Sequence, residues 1–466
     1  MRGITAYGSY VPYHRLQRAA IGEVLGSPGA RGERAVACHD EDTTSMGVEA
    51  CRRALWNGAR PAALLFATTA PAYLDKTNAT AIHAALELDD DVLAADVGGA
   101  VRSSTAAVRA ALACDGMAVL SDIRIGRPGS DDERYGGDAA VAFVFGEGED
   151  VVAEVLAEAS ITAEFLDRWR QPGASVSSTW EERFGLQRYV PLIGDAATRA
   201  LAAAGIQRAD HVIVSSPHAR AARTALKGFG DAAADGLDGE VGYAGAAHAG
   251  LVLADVLDRA APGETILLLL AADGCDATVL RVTDAIARRP AGAEVRAQIA
   301  NRRAVPYGDF LTWRGVLERE PPRRPDPART AAPPAARTEA WKYAFVGSRC
   351  RSCDTVQLPP QRVCVHCRAV DDGEPWRLAD RQATVATMTV DRLAFSLAPP
   401  TLDVVLDFDG GGRFACQMTD VDVGAVRVGD RVEMTFRRIS TAQGIHNYFW
   451  KARPARAVCA EQEGAH

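Results

Sequence analysis

Residues 95–108 read ADVGGAVRSSTAAV. An apolar run closes on a glycine pair, and a helix of small residues follows at once, entered through two serines whose hydroxyls suit the free N–H groups of a first turn. A strand, a tight turn and a helix in that order belong to a layered α/β fold. Working outward, the same alternation continues to about residue 305. Strand-like runs include GITAYGSYVP, ALLFATTA, DVLAADVGG, AAVAFVFG, HVIVSSP and ETILLLLAA; helix-like stretches include SMGVEACRRALWNG, AIHAALEL and GDAATRALAAAGI. Short apolar strands between alanine-rich amphipathic segments predict buried sheets in mixed layers.

The pattern stops at residues 321–338, PPRRPDPARTAAPPAART, whose six prolines predict a semi-rigid extended linker. Beyond it lie short alternating strands with glycine turns, QATVATMTVDRL, TLDVVLDFDGGGRFACQM, DRVEMTFRRI and NYFWKARPAR, a pattern that fits a small closed barrel. The chain of 466 residues is therefore expected to hold several domains. Hydrophobic residues at 48% and charged residues at 24% are ordinary for a globular protein. No apolar run is long enough to span a bilayer, and Met1 leads straight into a strand-like segment, so a cytoplasmic protein without membrane contact is expected. A net charge of -8 argues against non-specific nucleic-acid binding.

Of ten cysteines, Cys38, Cys51, Cys114, Cys275, Cys416 and Cys459 are scattered, and four are clustered in RCRSCDTVQLPPQRVCVHC. Cys350 and Cys353 form one C-x2-C knuckle, Cys364 and Cys367 another. Two such knuckles supply the four thiolates of a closed structural zinc site, here with the spacing of a zinc ribbon. His366 sits inside the second knuckle and is expected to be exposed.

A zinc ribbon followed by a small barrel resembles the acyl-CoA-associated OB-fold family known as DUF35. The resemblance rests on WKYAFVGSRCRSCDTVQLPPQRVC, TVATMTVDRLAFSLAPP, DFDGGGRF and HNYFWKARP. It implies a domain that accompanies thiolase-like enzymes and helps hold an acyl-CoA.

The first 300 residues resemble the thiolase superfamily, nearest to 3-hydroxy-3-methylglutaryl-CoA synthase and 3-oxoacyl-carrier-protein synthase III. Matching segments run in order from GITAYGSYVPYHRL through HDEDTTSMGVEACRRAL, ATTAPAYLDKTNATAIHAAL, ADVGGAVRSSTAAVRAAL, YGGDAAVAFVFG, FLDRWRQPG, HVIVSSPHARA and GYAGAAHAGLVLADVL to ETILLLLAADGCDATVLRV. The resemblance implies a five-layer αβαβα domain built from a duplicated unit, normally a homodimer. Expected boundaries are 1–320 for this domain, 321–338 for the linker, 339–375 for a rubredoxin-like ribbon and 376–466 for the OB barrel.

Chemistry in that family needs a cysteine nucleophile, a histidine, an asparagine or second histidine, and often a glutamate. The resemblance places Val101 at the cysteine, Thr69 at the glutamate, Ser215 at the histidine and Tyr243 at the asparagine. Tyr243, His218 and His248 then stand as candidate catalytic residues, suited to proton transfer without an acyl-enzyme. Arg102, Thr69 and Ser103 are candidate substrate-binding residues, and Lys76 in LDK offers a second cation. Either Ser103 or Ser104 is a conceivable nucleophile. Asp40 to Asp42 in CHDEDTTS read as the N-cap region of the following helix.

Three functions stay open. One is aldol or retro-aldol chemistry on a CoA thioester, by analogy of parts with the thiolase-like steroid side-chain aldolases that partner a DUF35 protein. Another is a non-catalytic acyl-CoA scaffold or shuttle. The third is acyl transfer or ketosynthase-like condensation with a non-cysteine nucleophile. A further enzyme of an acyl-CoA pathway is a possible partner in each.

Overall fold

The run that closes on Gly98 is the edge strand of a nine-stranded mixed sheet. The computed structural model describes residues 1–290, 294–320, 328 and 330–455. In chain order the strands are β1 (Arg2–Tyr10), β2 (Ala63–Thr68), β3 (Leu93–Gly98), β4 (Met117–Ile123), β5 (Asp138–Glu147), β6 (Ala153–Thr162), β7 (His211–Ser215), β8 (Thr265–Leu270) and β9 (Gly274–Val282). Across the sheet their order is β7-β8-β9-β6-β1-β5-β4-β2-β3. The order is a repeat. β6, β7, β8 and β9 take the places in one half that β1, β2, β4 and β5 take in the other, while the counterpart of β3 shrinks to a single parallel bridge, Val212 to Ala233. Among the described strands the halves pair at Gly3 with Glu154 and Ile4 with Ala153. A Cβ on Gly3 would stand 2.1 Å from the Ala153 carbonyl oxygen, so only glycine lets the two backbones meet there.

Four helices position the chemistry: α1 (Ser103–Ala113), α2 (Glu182–Ala204), α3 (Ala219–Leu226) and α4 (Gly245–Leu257). Helix α4 packs on β4 and β5 in one half, on β7 and β8 in the other, and on α1. All of its residues are buried. Its sequence, GAAHAGLVLADVL, is apolar around nearly the whole circumference, as a helix covered on every side requires. Of its two polar members, His248 and Asp255, the second is held by Arg259 at 2.8 Å and by Arg296 at 2.8 and 3.2 Å. Helix α2 covers β6, β8 and β9, and the end of helix Thr43–Ala54 lies against β1 at Gly8. These helices complete the αβαβα layering.

The chain divides into two compact units, one of Met1–Ala37, Glu49–Thr80 and Asp90–Tyr307, the other of Cys38–Val48, Ala81–Asp89 and the described residues from Gly308 on. The second unit holds the ribbon, three short strands at Val346–Cys350, Val356–Gln357 and Gly373–Arg377, and a closed barrel. The barrel strands are β10 (Ala383–Asp391), β11 (Thr401–Phe408), β12 (Arg413–Met418), β13 (Arg431–Ala442) and β14 (Ile445–Pro454), ordered β10-β11-β12-β14-β13. Within this unit Asp42 does cap its helix, accepting from Ser45 N at 2.8 Å. Its two neighbours do other work. Asp40 binds Lys451 at 2.8 Å, and Glu41 pairs with the fully buried Arg437 at 2.8 Å.

Eight of the eighteen residues of the proline-rich run, four of its six prolines among them, lie outside the described residues. Its last part is not extended as expected: Ala332–Arg337 is a short helix, with Pro333 and Pro334 in the first turn, where a missing N–H leaves no bond unmade. No helix among the described residues is long and apolar enough to cross a membrane.

Candidate active site

The helix entered through GGAVRSS begins among small apolar groups. Val101 is 8% exposed and packs with Ala249, Leu270 and Ala272. The hydroxyls after it turn into the backbone: Ser103 Oγ donates to Gly98 O at 2.9 Å and Ser104 Oγ to Val101 O at 2.8 Å. Arg102 donates to both oxygens of Asp276, at 2.8 and 2.9 Å, and to Asp273 O at 2.7 Å. Its donors are spent on tying the start of α1 to β9. Lys76 donates to Thr77 O and Thr80 Oγ1 at 3.0 Å.

Thr69, just past the end of β2, donates to the Asp122 carboxylate at 2.8 Å. Asp122 is fully buried near the end of β4 and also accepts the Ala246 N–H at 2.9 Å, in the first turn of α4. Burial raises its carboxyl above the ordinary range, against the pull of Arg124. Position 245 must be glycine for two reasons. Its φ is +53°, and a Cβ there would lie 1.9 Å from Asp122 Oδ2.

Tyr243 stands in the turn before α4. Its backbone is fixed by Tyr243 N to Tyr135 O at 2.8 Å and Gly137 N to Tyr243 O at 3.0 Å. The ring lies 4.9 Å from the His248 ring and 5.8 Å from the Arg124 guanidinium carbon. Tyr243 Oη and Ser215 Oγ are buried and make no hydrogen bond of good geometry among the described residues, though Ser215 lies close enough to the phenol to favour its ionised form slightly. Burial pushes the phenol well above its usual value, partly opposed by Arg124 and Arg168.

The two histidines are held in defined states. His248 Nδ1 accepts from Ala244 N at 3.4 Å, its Nε2 lies 4.0 Å from Asp238, and burial lowers its pKa. His218 Nδ1 accepts from Ala221 N at 3.1 Å, capping α3, so Nε2 carries the proton that meets Glu182 O at 2.8 Å. Both nitrogens of His218 are thereby used inside the chain. Tyr243 and His218 nevertheless open onto one cavity of about 500 Å³, which Asp132, Asp167, Arg168 and Trp180 also line. His248, though against the Tyr243 ring, lies behind that wall.

Sequence reasoning missed the charged set around this cavity. Arg168 binds Asp132 through two bonds of 2.9 and 2.6 Å, Arg124 lies 3.6 Å from the same carboxylate, and Arg170 donates to Thr69 O. With Asp122 and Asp167, this sets three guanidinium groups against three carboxyl groups around Tyr243 and the cavity. Asp167 has its carboxyl raised by burial and makes no side-chain hydrogen bond among the described residues. The signal was present in SDIRIG and DRWR, charges placed where strands end.

The second centre is the ribbon. The four sulfurs of Cys350, Cys353, Cys364 and Cys367 lie within 4.8 Å of one another. Cys350 to Cys367 and Cys353 to Cys364 are both 3.6 Å apart, near the ~3.8 Å edge of a tetrahedron with zinc–sulfur bonds of about 2.3 Å. His366 is exposed and contributes nothing to the set.

Comparison with known proteins agrees with both halves of this description. Residues 342–371 match the family described as ChsH2, rubredoxin-like zinc ribbon domain, and residues 376–437 match ChsH2, C-terminal OB-fold domain. The solved structures of HMG-CoA synthase complexed with CoA (TM-score 0.58, 13% identity, 67% of this chain and 90% of that one) and of 3-oxoacyl-(acyl carrier protein) synthase III from Pseudomonas aeruginosa (0.53, 20%, 60% and 98%) share the fold of the first unit. The hydroxymethylglutaryl-CoA synthase of Pyrococcus furiosus is 30% identical over 67% of this chain and 95% of its own. That of Archaeoglobus fulgidus is 31% identical over 68% of this chain and 100% of its own, and the chain belongs to the hydroxymethylglutaryl-CoA synthase family.

Proposed function

We propose that the chain makes or breaks a carbon–carbon bond in a CoA thioester by aldol or retro-aldol chemistry, without an acyl-enzyme. The observation that carries this reading is the buried hydroxyl of Tyr243 at a cavity that also holds the carboxyl of Asp167, which makes no side-chain hydrogen bond among the described residues. Val101 stands at the family's nucleophile position, and a valine offers nothing to acylate.

In the cleavage direction Asp167 takes the proton of the substrate's β-hydroxyl as the Cα–Cβ bond breaks. The bonding pair passes into the thioester as an enolate, and an aldehyde or ketone departs. Tyr243 donates a hydrogen bond to the enolate oxygen, where charge appears only as the reaction proceeds. The proton on Asp167 returns to Cα, so none is consumed. His248 holds the Tyr243 ring, and His218 fixes the cavity wall beside Asp167.

A second reading, a silent acyl-CoA carrier or scaffold, is favoured by one observation: His218 uses both ring nitrogens within the protein. Acyl transfer through a serine has the least support, since Ser103 and Ser104 each donate to a carbonyl rather than to a base. The open edge of β3, where Leu93 is 62% exposed, supports the expected homodimer.

The deciding experiment incubates the protein with a series of β-hydroxyacyl-CoA and acyl-CoA esters, following products and intact mass. Cleavage without a covalent adduct is the expected result. An acyl adduct overturns it in favour of acyl transfer, and tight binding without turnover leaves the carrier reading.

A further inference from the structure

The short helix Glu339–Lys342 and the strands β12 and β14 frame a groove of about 420 Å³ on the second unit, inside the size range of small-molecule sites. Three half-buried rings line it, Trp341, Phe414 and Phe449, with Trp341 edge-to-face at 5.5 and 5.3 Å from the other two. One cation is set beside them. Lys342 is only 9% exposed, yet its ammonium has neither hydrogen bond nor carboxylate partner among the described residues; the Tyr343 ring, 5.4 Å away, is its one charge-compatible neighbour. The Lys342 stem is covered and its ammonium reaches the groove without a counter-charge among the described residues, which leaves that charge free for an anion. Lys451, the other amine of the groove, already holds Asp40 at 2.8 Å. The side-chain amides of Gln417 and Asn447 also line the groove, and neither makes a hydrogen bond among the described residues.

We infer that this groove binds a phosphorylated purine nucleoside, its base against Trp341, Phe414 and Phe449 and its phosphate on Lys342. An acyl chain would satisfy the rings and leave the ammonium and both amides bare. Inorganic phosphate would satisfy the ammonium and leave the rings. A base with a polar edge and an attached anion satisfies all three, since aromatic platforms on five-stranded barrels stack bases, and amides supply the donor and acceptor that a purine edge takes. Two sources carry this chemistry, a free adenine nucleotide and the adenylate end of CoA. The inference does not rest on the reaction proposed above, because the probes that test it carry no acyl group.

The test titrates the full chain with AMP, adenosine 3′,5′-bisphosphate and adenosine by calorimetry. Both nucleotides are expected to bind saturably and adenosine at least tenfold more weakly than AMP. Lys342→Met should weaken AMP at least tenfold, leave adenosine unchanged and leave thermal stability equal or higher, since it removes a partly desolvated charge that has no counter-charge among the described residues. Trp341→Leu should weaken nucleotides and adenosine alike. Competition by CoA together with preference for the bisphosphate assigns the site to CoA; AMP binding that CoA does not displace assigns it to the free nucleotide. Absence of saturable nucleotide binding, or binding that Lys342→Met leaves unchanged, overturns the inference.

Discussion

The four thiols of the ribbon and the polar groups of the cavity are both convergent sets, held together by opposite means. The thiols lie on two knuckles between Cys350 and Cys367, so the chain needs only one hairpin to bring them close, and four sulfurs at this spacing gain their cohesion from a metal. The cavity draws Asp132, Arg168, His218 and Tyr243 from four separate segments, placed by bonds such as Tyr243 N to Tyr135 O and Ala221 N to His218 Nδ1. One centre is local and metal-dependent. The other exists only when segments spread from Arg127 to Tyr243 are assembled.

The largest expected effect breaks the first centre. Structural zinc contributes apparent binding energies of about 10–16 kcal/mol in small zinc domains. Cys364→Ala should take the zinc content from one per chain to near zero by elemental analysis and expose the ribbon to protease. Full metal retention in that variant would remove Cys364 from the ligand set. The next effect tests the second centre. Tyr243→Phe removes one donor to the developing oxyanion, a change that costs about 100- to 1,000-fold in rate at comparable sites, and it should leave zinc content untouched. Unchanged cleavage in Tyr243→Phe would take the tyrosine out of the mechanism.

That contrast also explains what could be read from the sequence. RCRSCDTVQLPPQRVCVHC carries its own geometry, because two C-x2-C knuckles ten residues apart leave few alternatives. The runs ending in Thr68, Gly98 and Ser215 were legible as strands for a similar reason, each being a short apolar segment closed by small residues. Asp122 and Arg124 were not legible as site residues. They lie in SDIRIG, whose first charge is buried under α4 and whose second reaches the Tyr243 ring, and only tertiary contacts distinguish them from surface charges. Lys342 was hidden in the same way, since WKY gives no sign that the lysine is the covered one. Arg102 shows the reverse: its place at a helix start suggested an anion ligand, and Asp276, distant in sequence, takes its donors.

A smaller effect tests how tightly the cavity depends on its scaffold. Gly245→Ala introduces a Cβ 1.9 Å from Asp122 Oδ2 and a side chain at φ +53°. Left-handed strain and displacement of a buried carboxylate together should cost about 3 kcal/mol of stability by chemical denaturation. A matching substitution at Gly263, also at positive φ but with nothing within 4 Å of its Cβ, carries the strain without the collision. Equal losses at the two positions would show that the contact with Asp122 does not matter.

The smallest effect is a pair of opposite slopes. Burial raises the carboxyl of Asp122 above its ordinary 3.8, so in the window just above 3.8 the folded state keeps a proton that the unfolded chain has released. Its contribution to stability is present below 3.8 and falls as pH rises through the folded value. Burial lowers the imidazole of His248 below 6.5, so just under 6.5 the unfolded chain binds a proton that the folded state refuses. Its contribution is complete above 6.5 and falls as pH drops. Denaturation curves across pH 4 to 7 should therefore show Asp122→Asn flattening a decline at the acid end and His248→Gln flattening a rise toward neutrality. If the two variants flattened slopes of the same sign, burial would not be the influence that dominates one of these groups. The desolvated surroundings that also push the Tyr243 phenol up would then not extend to that group.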